Sequence, residues 1–295
     1  MRCDLHVHSY YSGPCTIPVV RRFCRESYSD PREVYLQLQR RGMTLFTLTD
    51  HDSIEGAEQL RSHPDFFLSE ELTCRMPSGT EVHIGVYDLQ ERQHEQLQRR
   101  RNDLPGLVMY LREQRLFFSV NHVFSCLTGR REQEDFAWFE RHFPALETRN
   151  GLLIERSNDH AATLARRWDK IHVGGSDAHA LASVGSVYTE VPGARDKAEF
   201  FEGLRHGLGH VAGESGSFGK LTRDVLLVVR EMMAEKSWTR LLAPLALAIP
   251  AVTFLNCCSE RVFSRRWASK ILGQPQSSQR PRRVGLPRPA VEELV

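Results

Sequence analysis

Short apolar runs that break off at polar clusters recur through the first two-thirds of the chain. From Cys3 to His8 the residues alternate, the pattern of a strand that ends with His6 and His8 on one face. Asp30 then offers a cap and Pro31 an early helical position. Val34, Leu36 and Leu38 follow before Gly42, and together these predict a helix. The run from Met43 to Thr49 reads as a strand leading into Asp50, His51 and Asp52. Phe66 to Leu68 precede Glu70 and Glu71, a Pro77-Ser78-Gly79 turn follows, and Val82 to Tyr87 carry His83. Beyond a helix rich in Gln and Arg, Leu116 to Val120 run into Asn121 and His122, and Ile171 to Gly175 run into Asp177 and His179. Strands alternating with helices predict an α/β fold with a largely parallel sheet. Polar clusters at strand C-termini predict a β/α barrel.

The pattern changes after about residue 215. Leu221 to Met233 is mostly apolar, and Leu241 to Cys258 carries no charge over about 18 residues, near the lower length for crossing a bilayer. Pro244 and Pro250 would kink such a helix, and a buried hairpin packed on the catalytic body is the competing reading. Arg261, Arg265, Arg266 and Lys270 form a basic flank, and Arg280, Arg282, Arg283 and Arg288 lie in a Pro/Ser/Gln-rich tail read as disordered. The chain thus divides into a catalytic region over 1–219, an apolar helical extension over 220–272 with membrane contact through 241–258, and a basic tail over 273–295. Cys257 and Cys258 read equally as acylation sites or as buried thiols.

Composition narrows the function classes. A formal charge of +2 gives no support to long nucleic acid as a partner. Seven cysteines, an odd number without Cys-x-x-Cys spacing, suit a reducing compartment rather than a disulfide framework. The stretch MRCDLHVHS lacks the apolar run of a signal peptide, so the expected location is cytoplasmic, with attachment to the inner membrane face through the C-terminal segment.

The candidate chemistry is metal binding. His6-x-His8 puts two imidazoles on the same side of an extended strand, within reach of one ion, and Asp177-x-His179 repeats that spacing. His51, His83, His122 and Glu71 add donors, a mixture that suits zinc, manganese or iron. Neither a phosphate-cradling Gly-x-x-x-x-Gly-Lys loop nor a Gly-x-Ser-x-Gly nucleophile elbow occurs. Arg21, Arg22 and Arg25 read either as a phosphate grip or as a surface cluster.

The order of these segments resembles the PHP family, named for its polymerase and histidinol phosphatase members. The resemblance covers roughly residues 1–215 and rests on DLHVHS at 4–9, TDHDS at 49–53, Glu71-Leu72-Thr73 with Glu81-Val82-His83, Asn121-His122 and GGSDAH at 174–179. It implies a distorted β/α barrel of about seven strands holding two or three divalent ions (Mn, Zn or Fe). By position, His6, His8, Glu71 and Asp177 are implied as ligands of a first ion, with Glu71 bridging to a second held by His83 and His122, and His51 with His179 serving a third. One departure concerns that third ion. Where many members read His-Ser-x-x-Ser-Asp-Gly, this chain has Gly13 in place of the carboxylate, leaving Glu26 or Asp30 as replacements by sequence proximity.

Other residues stay open. Glu70 is the fallback for Glu71. Asp50, Asp52 and Asn121 are read as orienting neighbours of the imidazoles. Leu146 to Gly151, although similar to a family segment, is read as strand and turn. The implied activity is hydrolysis of a phosphate ester of a small molecule or nucleotide by metal-activated water, with Asp177, His51 and His179 as the catalytic candidates and one of the two histidines protonating the leaving oxygen. A non-catalytic metal-binding module and a hydrolase of a non-phosphate bond are the alternatives.

Overall fold

In the computed structural model, which describes residues 1–15 and 20–273, the predicted runs are distributed over two sheets. The strands are β1 (Arg2–Cys3), β2 (Ser69–Arg75), β3 (Glu81–Tyr87), β4 (Phe117–Val120), β5 (Ala145–Asn150), β6 (Ile171–Gly175), β7 (Val187–Glu190) and β8 (His210–Gly213). The larger sheet has the order β2-β3-β4-β5-β6, and the smaller β1-β7-β8. In the larger sheet β2, β3 and β4 pair antiparallel, while β4, β5 and β6 pair parallel. The smaller sheet is antiparallel throughout.

Among the described residues neither sheet closes, so the expected β/α barrel of about seven strands is corrected to an open α/β arrangement of two sheets with a C-terminal helical extension. The cause lies in the two runs that would have completed a ring. The strand expected from Cys3 to His8 shortens to β1 plus a single bridge, Val7 to Ala178, and the run from Met43 to Thr49 keeps only the bridge from Phe46 to Phe66. Side chains take several of the hydrogen bonds that a ladder would have used. The Thr49 hydroxyl accepts from Val7 N–H at 2.9 Å, the Thr47 hydroxyl donates to Phe67 C=O at 2.8 Å, and Asp50 accepts from Ser9 N–H at 2.6 Å. Buried backbone needs partners, and here polar side chains share that work with isolated backbone bonds such as Thr49 N–H to Val7 C=O at 2.9 Å, so that no continuous ladder forms.

The helices that position the site are α1 (Pro31–Arg40), α2 (Glu55–Glu58), α3 (Glu91–Arg100), α4 (Leu104–Glu113), α5 (Gln133–His142), α6 (Glu155–Arg167) and α7 (Lys197–Arg205). The helix expected after Asp30 is α1, and the Asp30 carboxylate caps it by accepting from Arg32 N–H. Val34 and Leu38 of α1, Leu107 and Leu111 of α4, Phe136 and Phe139 of α5 and Leu164 of α6 meet Ile84, Val86, Val120 and Leu146 of the larger sheet in one core. A second core beneath the smaller sheet gathers Leu5, Phe67, Val173, Phe200 and Leu204.

The extension comprises α8 (Phe218–Glu235), a 3-10 segment (Ser237–Ala248) and α9 (Ile249–Leu272). Among the described residues, one helical stretch, Ser237–Leu272, is long and apolar enough to cross a membrane, with 11% of its apolar window buried. The last turns of α9 join the main core through Trp267, Ala268 and Ile271. The arginines expected in the tail, Arg280 to Arg288, lie outside the described residues.

Candidate metal centre

Glu71 is the hub. Strand alternation turns it inward from β2 while Glu70 points the other way, where its carboxylate meets His94 Nδ1 at 2.9 Å and Gln98 Nε2 at 2.8 Å. Around Glu71 Oε2 stand His6 Nε2 at 3.1 Å, His51 Nδ1 at 3.2 Å and His8 Nε2 at 3.5 Å. Around Oε1 stand His122 Nε2 at 3.2 Å and His83 Nδ1 at 3.4 Å. Asp177 Oδ1 lies 3.4 Å from His6 Nε2 and 3.3 Å from His8 Nε2. Two donors each about 2.1 Å from a shared ion at a tetrahedral angle are separated by about 3.4 Å, so this spacing suits coordination.

Four overlapping groups have donor atoms all within 4.8 Å of one another: His6, His8 and Asp177; His6, Glu71 and His122; His51, Glu71 and His83; and His8, His51 and His179. All eight residues singled out in the sequence are therefore in one cleft. His51 belongs to two of the groups, where the resemblance had assigned it to one.

The nitrogens that face the cleft fit a metal for a second reason. His6 Nε2, His8 Nε2, His51 Nδ1, His83 Nδ1 and His179 Nε2 are buried without a hydrogen-bond partner among the described residues. The opposite ring nitrogens of three of these histidines are held: His6 Nδ1 by Glu147 at 2.7 Å, His8 Nδ1 by the Ser12 hydroxyl at 2.9 Å and His179 Nδ1 by Asp177 C=O at 3.0 Å. Such anchoring sets ring orientation and leaves the other nitrogen free to coordinate.

Charge follows the same geometry. Burial alone would push the Glu71 and Asp177 carboxyls up, but neighbouring imidazoles, His6 foremost, outweigh it and hold both well below the usual range. Burial drives His51 well below its ordinary value and, helped by His179, brings His8 down to about 4, so both rings are neutral. For His83 burial also lowers, yet Glu71 prevails and raises it to about 9.

Backbone strain marks the same positions. His122 and Asp177 have φ of 33° and 50°, in the left-handed region that side-chain-bearing residues rarely adopt.

Glu147 lies on β5, in keeping with the strand expected there, but the sequence reading gave its side chain no part in the site. Its carboxylate accepts from His122 N–H at 2.9 Å and from Asn150 Nδ2 at 3.0 Å, besides holding His6. Asn150 also donates to Asp177 at 2.9 Å. The available signal was a Glu-x-x-Asn pair on a buried strand. Asn121 donates to Glu71 at 2.8 Å, and Asp50 orders Ser12, which holds His8. Asp52 does not orient an imidazole by hydrogen bonding; its carboxylate takes Thr73 N–H and Arg101.

Glu26 stands opposite Gly13. Glu26 N–H donates to Gly13 C=O at 3.0 Å beside a bridge between Pro14 and Arg25, which sets Glu26 across from Gly13. Glu26 Oε1 then lies 3.6 Å from His179 Nε2 and Oε2 3.8 Å from His51 Nε2. Asp30, the other replacement considered, is committed to capping α1.

Comparison with known proteins agrees with this arrangement. A family described as PHP-associated matches residues 155–208, the stretch that carries Asp177 and His179. PsfC from Pseudomonas syringae is 17% identical with a TM-score of 0.53, covering 79% of this chain and 98% of its own. The lesion-specific endonuclease EndoQ of Pyrococcus furiosus is 16% identical with a TM-score of 0.50, covering 72% of this chain and 58% of its own. Both likenesses are of fold. No curated protein matches the chain. The PHP-associated match takes in Asp177 and His179, two of the eight residues whose donor atoms meet in the cleft, and so agrees with the resemblance drawn from the sequence motifs.

Proposed function

We propose that the chain hydrolyses a phosphate ester of a small molecule or nucleotide in the cleft around Glu71. The observation that carries this reading is the divided environment of one carboxylate: Glu71 Oε2 faces His6, His8 and His51, while Oε1 faces His83 and His122. That division supports Glu71 as a bridge between two divalent ions, manganese, zinc or iron, with Asp177, His6 and His8 on one side and His83 and His122 on the other. Bound there, the ions would supply Lewis-acid charge neutralisation and a water of lowered pKa. His51, His179 and Glu26 support a third position, Glu26 standing in for the carboxylate absent at Gly13.

The chain's own contribution is orientation and proton traffic. Water adds to phosphorus, the ester P–O bond breaks, and the departing oxygen takes a proton, giving an alcohol and inorganic phosphate. Of the two candidates to deliver that proton, His51 is held neutral by burial, which leaves His179, beside Glu26 at the partly open edge of the cleft, for the case in which it is not committed to an ion. Membrane attachment through residues 241–258 belongs to the same reading, supported by the exposure of Leu241, Leu245 and Leu247.

The test is phosphate release from a panel of phosphomonoesters and nucleotides by chain reconstituted with each metal, run beside elemental analysis. At least two ions per chain and turnover lost in Asp177→Asn are the expected results. Full metal content with no turnover across the panel would overturn catalysis in favour of a binding module.

A further inference from the structure

The extension has its polarity reversed. The first two-thirds of α9 turn Thr253, Cys257, Glu260 and Ser264 inward and leave Val252, Phe254, Leu255 and Val262 exposed. The preceding 3-10 segment exposes Leu241, Leu245 and Leu247. A helix bordering water shows the opposite pattern. The inward face is fixed: Glu260 accepts from the Ser125 hydroxyl and Cys126 N–H, each at 3.0 Å, and from the Ser157 hydroxyl at 3.2 Å. Withdrawing α9 to span a bilayer would strip a buried carboxylate of these donors, so an orientation along the surface fits and a crossing does not.

Charge selects the occupant of the outward face. From Lys236 to Leu272 the cations are Lys236, Arg240, Arg261, Arg265, Arg266 and Lys270, and the single acid is Glu260, which is buried. A second copy of the chain would set these cations against their equals, whereas anionic lipid headgroups complement them.

The same segment touches the rim of the metal cleft. The Phe23 ring stands 5.2 Å from that of Trp238, and Lys236 Nζ donates to Phe23 C=O at 3.2 Å. Glu235 accepts from the Tyr10 hydroxyl at 3.0 Å and faces Arg25. The next residue is Glu26, at the open edge of the cleft.

We propose that the apolar face of Leu241, Leu245, Leu247, Val252, Phe254 and Leu255 docks in the plane of an anionic bilayer, opening the cleft beside the headgroups, and that the ester hydrolysed is an amphiphilic phosphate held in that surface. The substrate half of this proposal rests on the phosphoesterase reading; the docking half stands alone. The bond changes are those already given, with the alcohol left in the membrane and phosphate released to water.

The full chain is floated with vesicles of phosphatidylcholine alone and of phosphatidylcholine with phosphatidylglycerol. Binding to the mixed vesicles, weakened roughly 100-fold or more in the Leu241→Glu, Leu245→Glu, Leu247→Glu triple variant, is the expected result. Release of bound protein by alkaline carbonate is also expected. Absence of binding, binding unchanged in the variant, or resistance to carbonate overturns in-plane docking; a dimer abolished by the same substitutions, without vesicle binding, assigns the face to a second copy. With manganese or zinc, phosphatidic acid in mixed vesicles is compared with soluble p-nitrophenyl phosphate. The full chain should cleave the vesicle-held ester, and the variant only the soluble one. Soluble cleavage alone by both overturns the amphiphilic substrate class. Cleavage of neither ester, with vesicle binding intact, overturns the phosphoesterase reading and the substrate half with it, and leaves docking established.

Discussion

The metal cleft and the seam between α6 and α9 are both polar regions inside the protein, and they are satisfied in opposite ways. In the seam the partners lie within the chain. Glu260 takes Ser125, Cys126 and Ser157, His160 Nδ1 meets the Ser264 hydroxyl at 2.9 Å, and Arg167 donates to Leu272 C=O at 2.8 Å. In the cleft five imidazole nitrogens face the carboxylates of Glu71, Asp177 and Glu26 and have no hydrogen-bond partner among the described residues. A closed network fixes structure, while a convergent open one is arranged for something added. Substitutions in the first should therefore disturb folding, and substitutions in the second should disturb metal content.

The largest effect is expected from Glu71→Gln, which removes the charge shared by both halves of the cleft. Phosphate release should fall on the order of 1000-fold or more, with metal content by elemental analysis falling alongside it. Stripping the wild-type chain with a chelator should lower its unfolding free energy by about 4 kcal/mol for each ion removed if that ion is present at about 1000 times its dissociation constant, read by denaturant titration with and without metal. Glu260→Ala should cost about 3 kcal/mol in the same titration, because buried donors lose their acceptor, while leaving metal content unchanged. Equal loss of metal in Glu260→Ala would erase the contrast between the two regions. Glu26→Gln should remove one bound ion while retaining those nearest Glu71, a smaller change that sharpens the division within the cleft itself. Least of all, Leu255→Ser on the outward face of α9 should alter stability by no more than about 0.5 kcal/mol, since its side chain meets little protein.

Much of the cleft was legible because its donors come from local spacing. His6 and His8, like Asp177 and His179, sit two residues apart where the chain is extended. Alternation, by contrast, puts Glu70 and Glu71 on opposite faces without saying which faces inward, and the choice of Glu71 came from the family resemblance of the Leu72-Thr73 that follow it. Glu147 was not legible in this way. Its contact with His6 depends on where β5 lies in the sheet, a long-range fact that its neighbours in sequence do not encode. Glu26 needed the turn that brings it opposite Gly13, so proximity in sequence left it level with Asp30. The barrel failed for a different reason. Apolar alternation identifies an extended segment but not its hydrogen-bond partners, and at Val7 and Phe67 those partners are threonine hydroxyls. The reversed polarity of α9 was hidden because Thr253, Cys257, Glu260 and Ser264 are spread through a segment whose apolar majority dominates any local average.

The donors of the cleft bracket the chain from His6 to His179, and this has a consequence for synthesis. At roughly 5–20 residues per second, His6 and His8 emerge from the ribosome about 10–35 s before Asp177 and His179 do. During that interval an ion can be held by at most part of its final set and exchanges readily with its surroundings. An ion that needs the complete set can therefore be fixed only late, once Asp177 has arrived. The Leu241–Leu255 surface follows only after that, so the full set of cleft residues is available before the outward apolar face emerges.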